Sequence, residues 1–257
     1  RILPGINVAD MDIQIGGPRS HPDMRVTDWH QRFDMRTASL TTTFMLDDRV
    51  QVEHEIVALR HLPNVVLVTL QMTASRRTKV TLRHDVTIPE ALKPRAHYNR
   101  GYDEVPNSPV VSCEAASPTG RHRLGAAACY SFDREPSTSK YMVGSDRAQM
   151  MRWTLKLKEG ERTSLTVIGA LTSTAQVADP LHEAERLSIF ALFEGRDRLM
   201  KRHVEAWSDL WQGDIVIEGD LHAQRDVRFA LYNLYAYVRA GSRRSIPPMG
   251  LSAMGYN

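Results

Sequence analysis

Cysteine is scarce in this sequence, and long apolar runs are missing. Only two cysteines, Cys113 and Cys129, occur among 257 residues. Their number allows one disulfide bond, but both lie in strand-like sequence, where a buried free thiol fits equally well, so their pairing stays open. No apolar run approaches the ~18–20 residues of a membrane-spanning helix. The composition therefore predicts a soluble chain without a membrane partner.

An excess of charge of either sign is also missing. The chain carries 33 basic and 30 acidic residues, which gives a formal net charge of +3. No basic run is long enough, or sufficiently interleaved with aromatic residues, to follow a phosphate backbone. The pairs Arg76-Arg77 and Arg243-Arg244 are predicted to be solvated turns. We therefore expect no nucleic-acid partner.

Three signatures of common active sites are absent from the sequence. The ten histidines show no His-x-x-x-His spacing, and the two cysteines have no nearby partners, which argues against a zinc or iron site. Ser252 lies in GLSAMG, which lacks the Gly-x-Ser-x-Gly nucleophile elbow. Gly16 and Gly17 precede a proline rather than a helix, which excludes a dinucleotide turn. The sequence predicts no metal site and no bound cofactor.

Alternation of apolar and polar residues dominates the first two thirds of the chain. This alternation is typical of amphipathic strands, and residues 65–72 are apolar on both parities, as expected of a strand buried on both faces. No repeat of fixed period occurs, which argues against a propeller or a solenoid. The pattern predicts a mainly β fold, a large antiparallel β-sandwich. Ten strands are predicted, within residues 1–18, 26–35, 40–46, 50–58, 65–72, 80–88, 110–113, 124–132, 150–157 and 164–171.

Helical spacing begins after the last predicted strand. Asp179 is a good N-cap, Pro180 suits the first helical position, and an apolar stripe continues to Gly195. A second helix is predicted over residues 196–211. These two helices can lie against the sandwich and carry the chain to a further domain, and a plain C-terminal helical hairpin fits the pattern equally well.

A third helix is predicted over residues 221–240, with Asp220 as its cap. Its apolar face is larger than one helix can bury alone, and no partner helices remain in the sequence. Neither end of the chain reads as a natural terminus. We therefore expect the chain to continue, in the natural protein, into a helical domain. The apolar face consists of Val227, Ala230, Leu231, Leu234 and Val238.

A specific pattern extends from the second predicted helix to the end of the chain. It resembles the linker and first barrel helix of glycoside hydrolase family 65, which includes phosphorylases of maltose, trehalose, kojibiose or nigerose and some related hydrolases. Residues 32–41 resemble the family more loosely, and the family's usual glycine is replaced near Ala38-Ser39. The residues that carry the resemblance are His203, Trp207, Leu210, Trp211, Asp214, Ile215, Ile217, Glu218, Gly219, Asp220, Gln224, Arg228, Phe229, Leu231, Leu234, Gly250, Leu251, Ser252, Gly255 and Tyr256.

The resemblance implies a division of the chain into three parts. Residues 1–175 would form an N-terminal super-β-sandwich, residues 176–218 a helical linker, and residues 219–257 the start of a truncated (α/α)6 barrel that holds the active site. Enzymes of this family invert the configuration at the anomeric carbon. They use a glutamate as general acid, and either phosphate or a base-activated water attacks the sugar.

No catalytic residue is expected within this chain. In the family, the sugar-binding Phe-Trp-Asp motif and the catalytic acid come later in the sequence. Inverting hydrolysis needs two carboxyl groups ~6.5–9.5 Å apart across the sugar, whereas Asp103 and Glu104 are adjacent. Asp214, Glu218 and Asp220 are explained as helix caps and turn residues. The chain by itself is therefore predicted to be inactive.

Two segments are candidates for substrate binding. Residues 89–109 read as a long loop, and loops of this length are usually functional or disordered. The resemblance adds that sandwich loops in this family can reach the barrel entrance or the dimer interface, although an ordered surface loop without a ligand also fits. The second segment is residues 250–257, in which Tyr256 is expected to line the sugar-binding pocket. The candidate contacts in the loop are His97, Tyr98, Tyr102, Asp103 and Glu104.

We expect the chain to scaffold a family 65-like hydrolase that cleaves an α-glucoside disaccharide with inversion. The departure from the phosphorylase pattern at Ala38 favours a hydrolase. One alternative is a disaccharide phosphorylase with inorganic phosphate as co-substrate, and another is a stand-alone sandwich that binds carbohydrate or protein. The expected partners are an α-linked disaccharide or oligosaccharide, the protein's own catalytic barrel and a second copy in a homodimer. The sequence indicates no cellular compartment.

Overall fold

The computed structural model describes residues 5–16, 24–102 and 105–238, which contain twelve strands and three helices. The strands are β1 Asn7–Ile15, β2 Val26–Asp34, β3 Ser39–Leu46, β4 Val50–Ala58, β5 Val65–Ala74, β6 Thr78–Thr87, β7 Lys93–Tyr102, β8 Val105–Ala116, β9 Arg123–Phe132, β10 Thr138–Ser145, β11 Ala148–Leu157 and β12 Arg162–Ser173. The helices are α1 Pro180–Glu194, α2 Arg196–Trp211 and α3 Leu221–Tyr237.

The strands form two sheets. The smaller sheet has the order β1-β6-β11-β10, and the larger has the order β2-β3-β4-β5-β12-β9-β8-β7. Each pair of neighbouring strands is antiparallel. The predicted mainly β sandwich, followed by helices, is confirmed.

The main hydrophobic core fills the space between the two sheets. Trp153 of β11 meets the ring of Tyr130 of β9 nearly edge-on, with 4.7 Å between the ring centroids. β5 is buried on both faces, as predicted from its sequence. Leu70 and Met72 belong to the core between the sheets, whereas Leu67 belongs to a second cluster that lies under α1.

The prediction of a loop over residues 89–109 is wrong for most of this segment. β7 and β8 form an antiparallel hairpin there, in which Asn99 pairs with Val111. β7 is an edge strand of the larger sheet, and edge strands tolerate proline, glycine and charged residues because one side of the strand makes no ladder hydrogen bonds. The sequence KPRAHYNRGY therefore lacks the alternation of an inner strand. β10, the exposed edge of the smaller sheet, escaped prediction for the same reason.

α1 begins and ends where the sequence predicts. The Asp179 side chain accepts a hydrogen bond from the backbone N–H of His182, and Gly195 follows the last helical residue with a φ of 77°. The helix lies on β9 at Gly125, where an added Cβ would come within 2.3 Å of the Pro180 carbonyl. A side chain at Gly125 would push α1 away from the sheet, and glycine allows the close approach.

α2 and α3 also follow the prediction closely. α2 has the predicted bounds, and α3 ends at Tyr237, slightly before the predicted end of the third helix. The Asp220 side chain accepts hydrogen bonds from the backbone N–H groups of His222 and Ala223, as an N-cap does. None of the helices within the described residues combines the length and apolar character that crossing a bilayer requires.

The two cysteines are buried free thiols on different faces of the larger sheet. Cys113 belongs to the core between the sheets, and Cys129 belongs to the cluster under α1. Burial raises the pKa of Cys113 to about 12 and that of Cys129 to about 11. Both thiols therefore stay protonated and act as small apolar groups.

A buried histidine joins the two sheets. His84 of β6 has no exposed surface, and its Nε2 donates to the carbonyl oxygen of Val8 at 3.1 Å. Its Nδ1 must then accept the hydrogen bond from the Tyr130 hydroxyl of the opposite sheet, at 2.9 Å. Burial lowers the pKa of His84 to about 4. The imidazole is therefore neutral in the folded protein at pH 7.

We predict that folding stability falls as the pH drops from about 6.5 towards 4. In this window the unfolded chain protonates His84, whose ordinary pKa is 6.5, while the folded protein keeps it neutral. The loss is about 2 to 3 kcal/mol between pH 7.5 and pH 4.5. Urea denaturation at both pH values measures it in the protein and in the variant His84→Gln, which does not titrate. Equal pH dependence of the two proteins would contradict the prediction.

Candidate functional site

The sandwich, α2 and α3 meet at the turn between β2 and β3. We call this region the junction. It lies at the end of the larger sheet where the β2–β3 turn, residues 35–38, and the β4–β5 loop, residues 59–64, come together. The junction consists of Phe33, Met35, Thr37, Arg60, His203, Trp207, Trp211, Tyr232 and Tyr235.

His203 of α2 links the two loops of the sandwich. Its Nε2 donates to the carbonyl oxygen of Thr37 at 2.6 Å, and its Nδ1 accepts from the backbone N–H of Arg60 at 3.0 Å. The side chain is fully buried. Burial lowers the pKa of His203, against the hydrogen bond to Thr37, which raises it. A neutral imidazole suits this place because it has one donor and one acceptor.

Aromatic rings carry the contact from α2 to α3. The indole of Trp207, which is buried, stacks on the ring of Tyr232 with 5.3 Å between centroids and an interplanar angle of 19°. The ring of Phe33 of β2 contacts Tyr232 edge-on, with 4.8 Å between the ring centroids. The guanidinium carbon of Arg60 lies 5.7 Å from the Trp207 ring centroid, a cation–π distance. Tyr232 therefore contacts both α2 and the sandwich.

Trp211, at the end of α2, extends the same arrangement. Its Nε1 donates to the carbonyl oxygen of Met35 at 3.0 Å, and its ring meets Tyr235 edge-on with 5.4 Å between centroids. The Tyr235 hydroxyl donates to the carbonyl oxygen of Gly213 at 3.0 Å. These bonds hold the end of α2, the β2–β3 turn and α3 in one fixed arrangement.

The loop between α2 and α3 is bonded back to α3. Arg228 donates two hydrogen bonds to one oxygen of the Asp214 carboxylate, from Nε at 3.0 Å and from Nη2 at 2.5 Å. The amide of Gln224 accepts from the N–H of Ile217 at 2.6 Å and donates to the carbonyl oxygen of Ile215 at 2.9 Å. Residues 214–217 thus form an ordered connection, in which Ile215 is largely exposed rather than part of an apolar strand.

A cleft of about 700 Å³ opens beside the junction. Hydrogen bonds from Arg228 lower the pKa of Asp214. Burial raises the pKa of Asp34, but hydrogen bonds from Arg32 and from two backbone N–H groups hold it below its usual range. Neither carboxyl can serve as a general acid at neutral pH, which requires a raised pKa. The cleft is lined by Arg32, Phe33, Asp34, Met35, Arg36, Thr37, Val204, Ser208, Trp211, Gln212, Asp214 and Arg228.

Ala38 is the last residue of the β2–β3 turn. Ala38 has a φ of 46°, in the left-handed region that glycine adopts most readily. The Cβ of Ala38 therefore adds strain to the turn.

The two substrate-contact candidates whose side chains the structure describes, His97 and Tyr98, do not lie at the junction. His97 and Tyr98 are in β7, at the edge of the larger sheet opposite β2, and seven strand intervals span roughly 30 Å along the sheet. His97 donates through Nε2 to the carbonyl oxygen of Asp146 at 2.5 Å, and Tyr98 is partly exposed. Tyr102 pairs through its backbone with Val105. Three further candidates, Asp103, Glu104 and Tyr256, lie outside the described residues.

No pattern in the sequence predicts a role for Arg60 at the junction. α3 has no basic residue in its last turn, which is a signal that a cation from another segment can fill that place. Within the part of the chain that the structure describes, no three acidic, histidine or cysteine side chains are grouped to bind a metal ion.

Comparison with known proteins agrees with this architecture. Residues 2–210 match the family model described as glycosyl hydrolase family 65, N-terminal domain. A kojibiose hydrolase of Flavobacterium johnsoniae is 33% identical over 99% of this chain, and one of Mucilaginibacter mallensis is 36% identical over 91%. The chain spans 38% and 35% of the length of these two relatives.

A solved structure shows the same fold. It is described as a "putative kojibiose phosphorylase from human microbiome", and it superposes on 91% of this chain with a TM-score of 0.72 at 12% sequence identity. The chain covers 31% of that protein. The sandwich, the helices α1 and α2 that follow it, and the match over residues 2–210 lead to one conclusion. The chain belongs to glycoside hydrolase family 65, and it contains the N-terminal domain of that family.

Proposed function

We propose that this chain is the non-catalytic N-terminal part of an inverting family 65 hydrolase that acts on kojibiose or a closely related α-glucoside. In this proposal residues 1–175 form the sandwich, residues 176–218 the linker, and residues 219–257 the start of the catalytic barrel. The sandwich and linker pack the barrel and shape the entrance to its active site. The cleavage itself requires no cofactor, and homodimer formation stays a prediction.

The one-sided packing of α3 carries the proposal. One face of α3 docks on the junction through Tyr232, Tyr235 and Arg228. Gln224 is the one buried residue of this helix. Large apolar side chains along α3 and at its C-cap are exposed. The exposed fractions are 87% for Leu221, 54% for Phe229, 50% for Leu234 and 49% for Val238.

Further helices of the protein are the proposed cover for this face. An amphipathic helix gains most of its stability by burying its apolar side against other elements. Both kojibiose hydrolases that this chain resembles are more than twice its length. Barrel helices that follow α3 in the natural protein would bury Phe229 and Leu234, as packing in helical folds requires.

The carboxyl groups of the cleft beside the junction do not form a catalytic pair, which supports a scaffolding role. Inverting cleavage needs two carboxyl groups ~6.5–9.5 Å apart, one of them with a raised pKa. In the cleft beside the junction, Asp34 and Asp214 are instead paired with arginines, and their pKa values are lowered. We propose that a glutamate of the barrel supplies the acid and that the sandwich supplies none.

The similarity to two kojibiose hydrolases favours hydrolysis over phosphorolysis. A disaccharide phosphorylase is the second candidate, because the solved protein with the same fold is described as a kojibiose phosphorylase. Its low sequence identity of 12% supports the fold alone. A stand-alone carbohydrate- or protein-binding sandwich fits less well, because it would leave the apolar face of α3 in water.

We predict that the full-length protein cleaves kojibiose to glucose at the same rate with and without inorganic phosphate. In an inverting hydrolase, water attacks the anomeric carbon from the face opposite the leaving group, so the sugar released from the α-linkage is β-glucose, which NMR detects before mutarotation. Formation of β-glucose 1-phosphate, with cleavage that depends on phosphate, would establish the phosphorylase instead. The 257-residue chain by itself serves as the control and should release no glucose.

We predict that Leu234→Lys changes the midpoint of thermal unfolding much less in the 257-residue chain than in the full-length protein. In the 257-residue chain Leu234 is half exposed, so the midpoint of thermal unfolding should change by less than about 2 °C. In the full-length protein the barrel buries this position, and a buried lysine should lower the midpoint by about 5 °C or more.

The matched control is Val143→Lys, which replaces another exposed apolar residue, on β10. This substitution should have the same small effect in the short chain and in the full-length protein. An equally small effect of Leu234→Lys in both proteins would show that no later segment covers α3, and the scaffolding proposal would then fail.

A further inference from the structure

The sandwich reaches the C-terminal end of α3 through one arginine. Arg60 lies in the β4–β5 loop, and its guanidinium donates to the carbonyl oxygens of Tyr235, at 2.6 Å, and Val238. The last carbonyls of a helix have no partner within the helix, and they form the negative end of its dipole. Arg60 therefore satisfies both a hydrogen-bonding and an electrostatic need at this end.

The helix does not meet this need from its own sequence. α3 has no basic residue in its last turn, and Val238, its C-cap, has an extended backbone rather than the left-handed conformation of a glycine cap. The hydrogen bonds of Gln224, Arg228 and Tyr235 tie α3 to the preceding loop. Arg60, in contrast, ties it directly to the sandwich.

Arg60 is itself held in place from three sides. Its backbone N–H donates to His203 at 3.0 Å, and its guanidinium lies over the ring of Trp207. The neighbouring Leu59 is buried, and the backbone N–H of Leu59 donates to the carbonyl oxygen of Val65 at 2.9 Å. Because these contacts hold both its backbone and its guanidinium, the Arg60 side chain fixes the end of α3 relative to the β4–β5 loop.

We propose that Arg60 is a positioning residue, which fixes the end of α3 and hence the direction in which the chain continues into the rest of the catalytic barrel. This inference rests on the proposed function, because it assigns the chemistry to residues after α3. Displacing groups that bind substrate by about 1 Å can cost about 100-fold in rate even when the change is far from the reacting atoms. Arg60 touches no substrate in this proposal and acts through α3.

The test compares Arg60→Met with Arg60→Lys in the full-length protein, with kojibiose as substrate. Arg60→Met should lower kcat by about 10- to 100-fold, with a change in KM of less than about threefold. Arg60→Lys should recover part of the loss, because the ammonium keeps the charge and can donate to one carbonyl. The control Arg186→Met removes an exposed arginine that pairs with Glu183 on α1, and it should leave both constants unchanged.

Hydrogen exchange separates positioning from general destabilisation. In Arg60→Met, the amides in the last turn of α3 should exchange at least about tenfold faster, whereas those of β5 and β12 should not change. Activity of Arg60→Met within twofold of the natural protein would overturn the inference, and so would a uniform rise in exchange. If Arg60→Met does not fold, Arg60→Lys carries the same comparison at smaller amplitude.

Failure of the proposed function would look different. If the natural full-length protein cleaves neither kojibiose nor another α-glucoside, then the proposed function is wrong. The exchange experiment still decides whether Arg60 holds the end of α3, because it does not depend on catalysis.

Discussion

The junction depends on the two hydrogen bonds of the buried His203 imidazole. It connects the β2–β3 turn, through the carbonyl oxygen of Thr37, to the β4–β5 loop, through the backbone N–H of Arg60. Because both loops are fixed on one side chain of α2, the surface that receives α3 has a defined shape. Trp207 and Arg60 can then hold α3 from the linker and from the sandwich at once. α3 is therefore held by contacts with both α2 and the sandwich.

This arrangement explains the separation of tasks in the chain. The core between the sheets and the cluster under α1 stabilise the sandwich. At the junction, aromatic contacts and the hydrogen bonds of Arg60 fix one side of α3. In the proposed function, later elements of the protein cover the rest of this helix and perform the chemistry.

Local patterns predicted the parts of the fold that depend on near neighbours. The caps at Asp179 and Asp220, the bounds of α2 and the double-sided burial of β5 all follow from short stretches of sequence. β7 escaped prediction because an edge strand is specified by its neighbour β8 rather than by its own alternation. Arg60 escaped because its role depends on a helix end about 175 positions away in the chain. The motif that identified the family, with His203, Trp207 and Trp211, proved to be the motif that builds the junction.

A double-mutant cycle between Phe33 and Tyr232 tests most directly whether α3 is docked on the sandwich. These two rings belong to β2 and α3, and their centroids are 4.8 Å apart. Unfolding free energies of the natural chain, Phe33→Ala, Tyr232→Ala and the double variant give the coupling between them. The account predicts a favourable coupling of about 0.5–1.5 kcal/mol. Strictly additive effects, with no coupling, would show that α3 does not rest on the sandwich in solution.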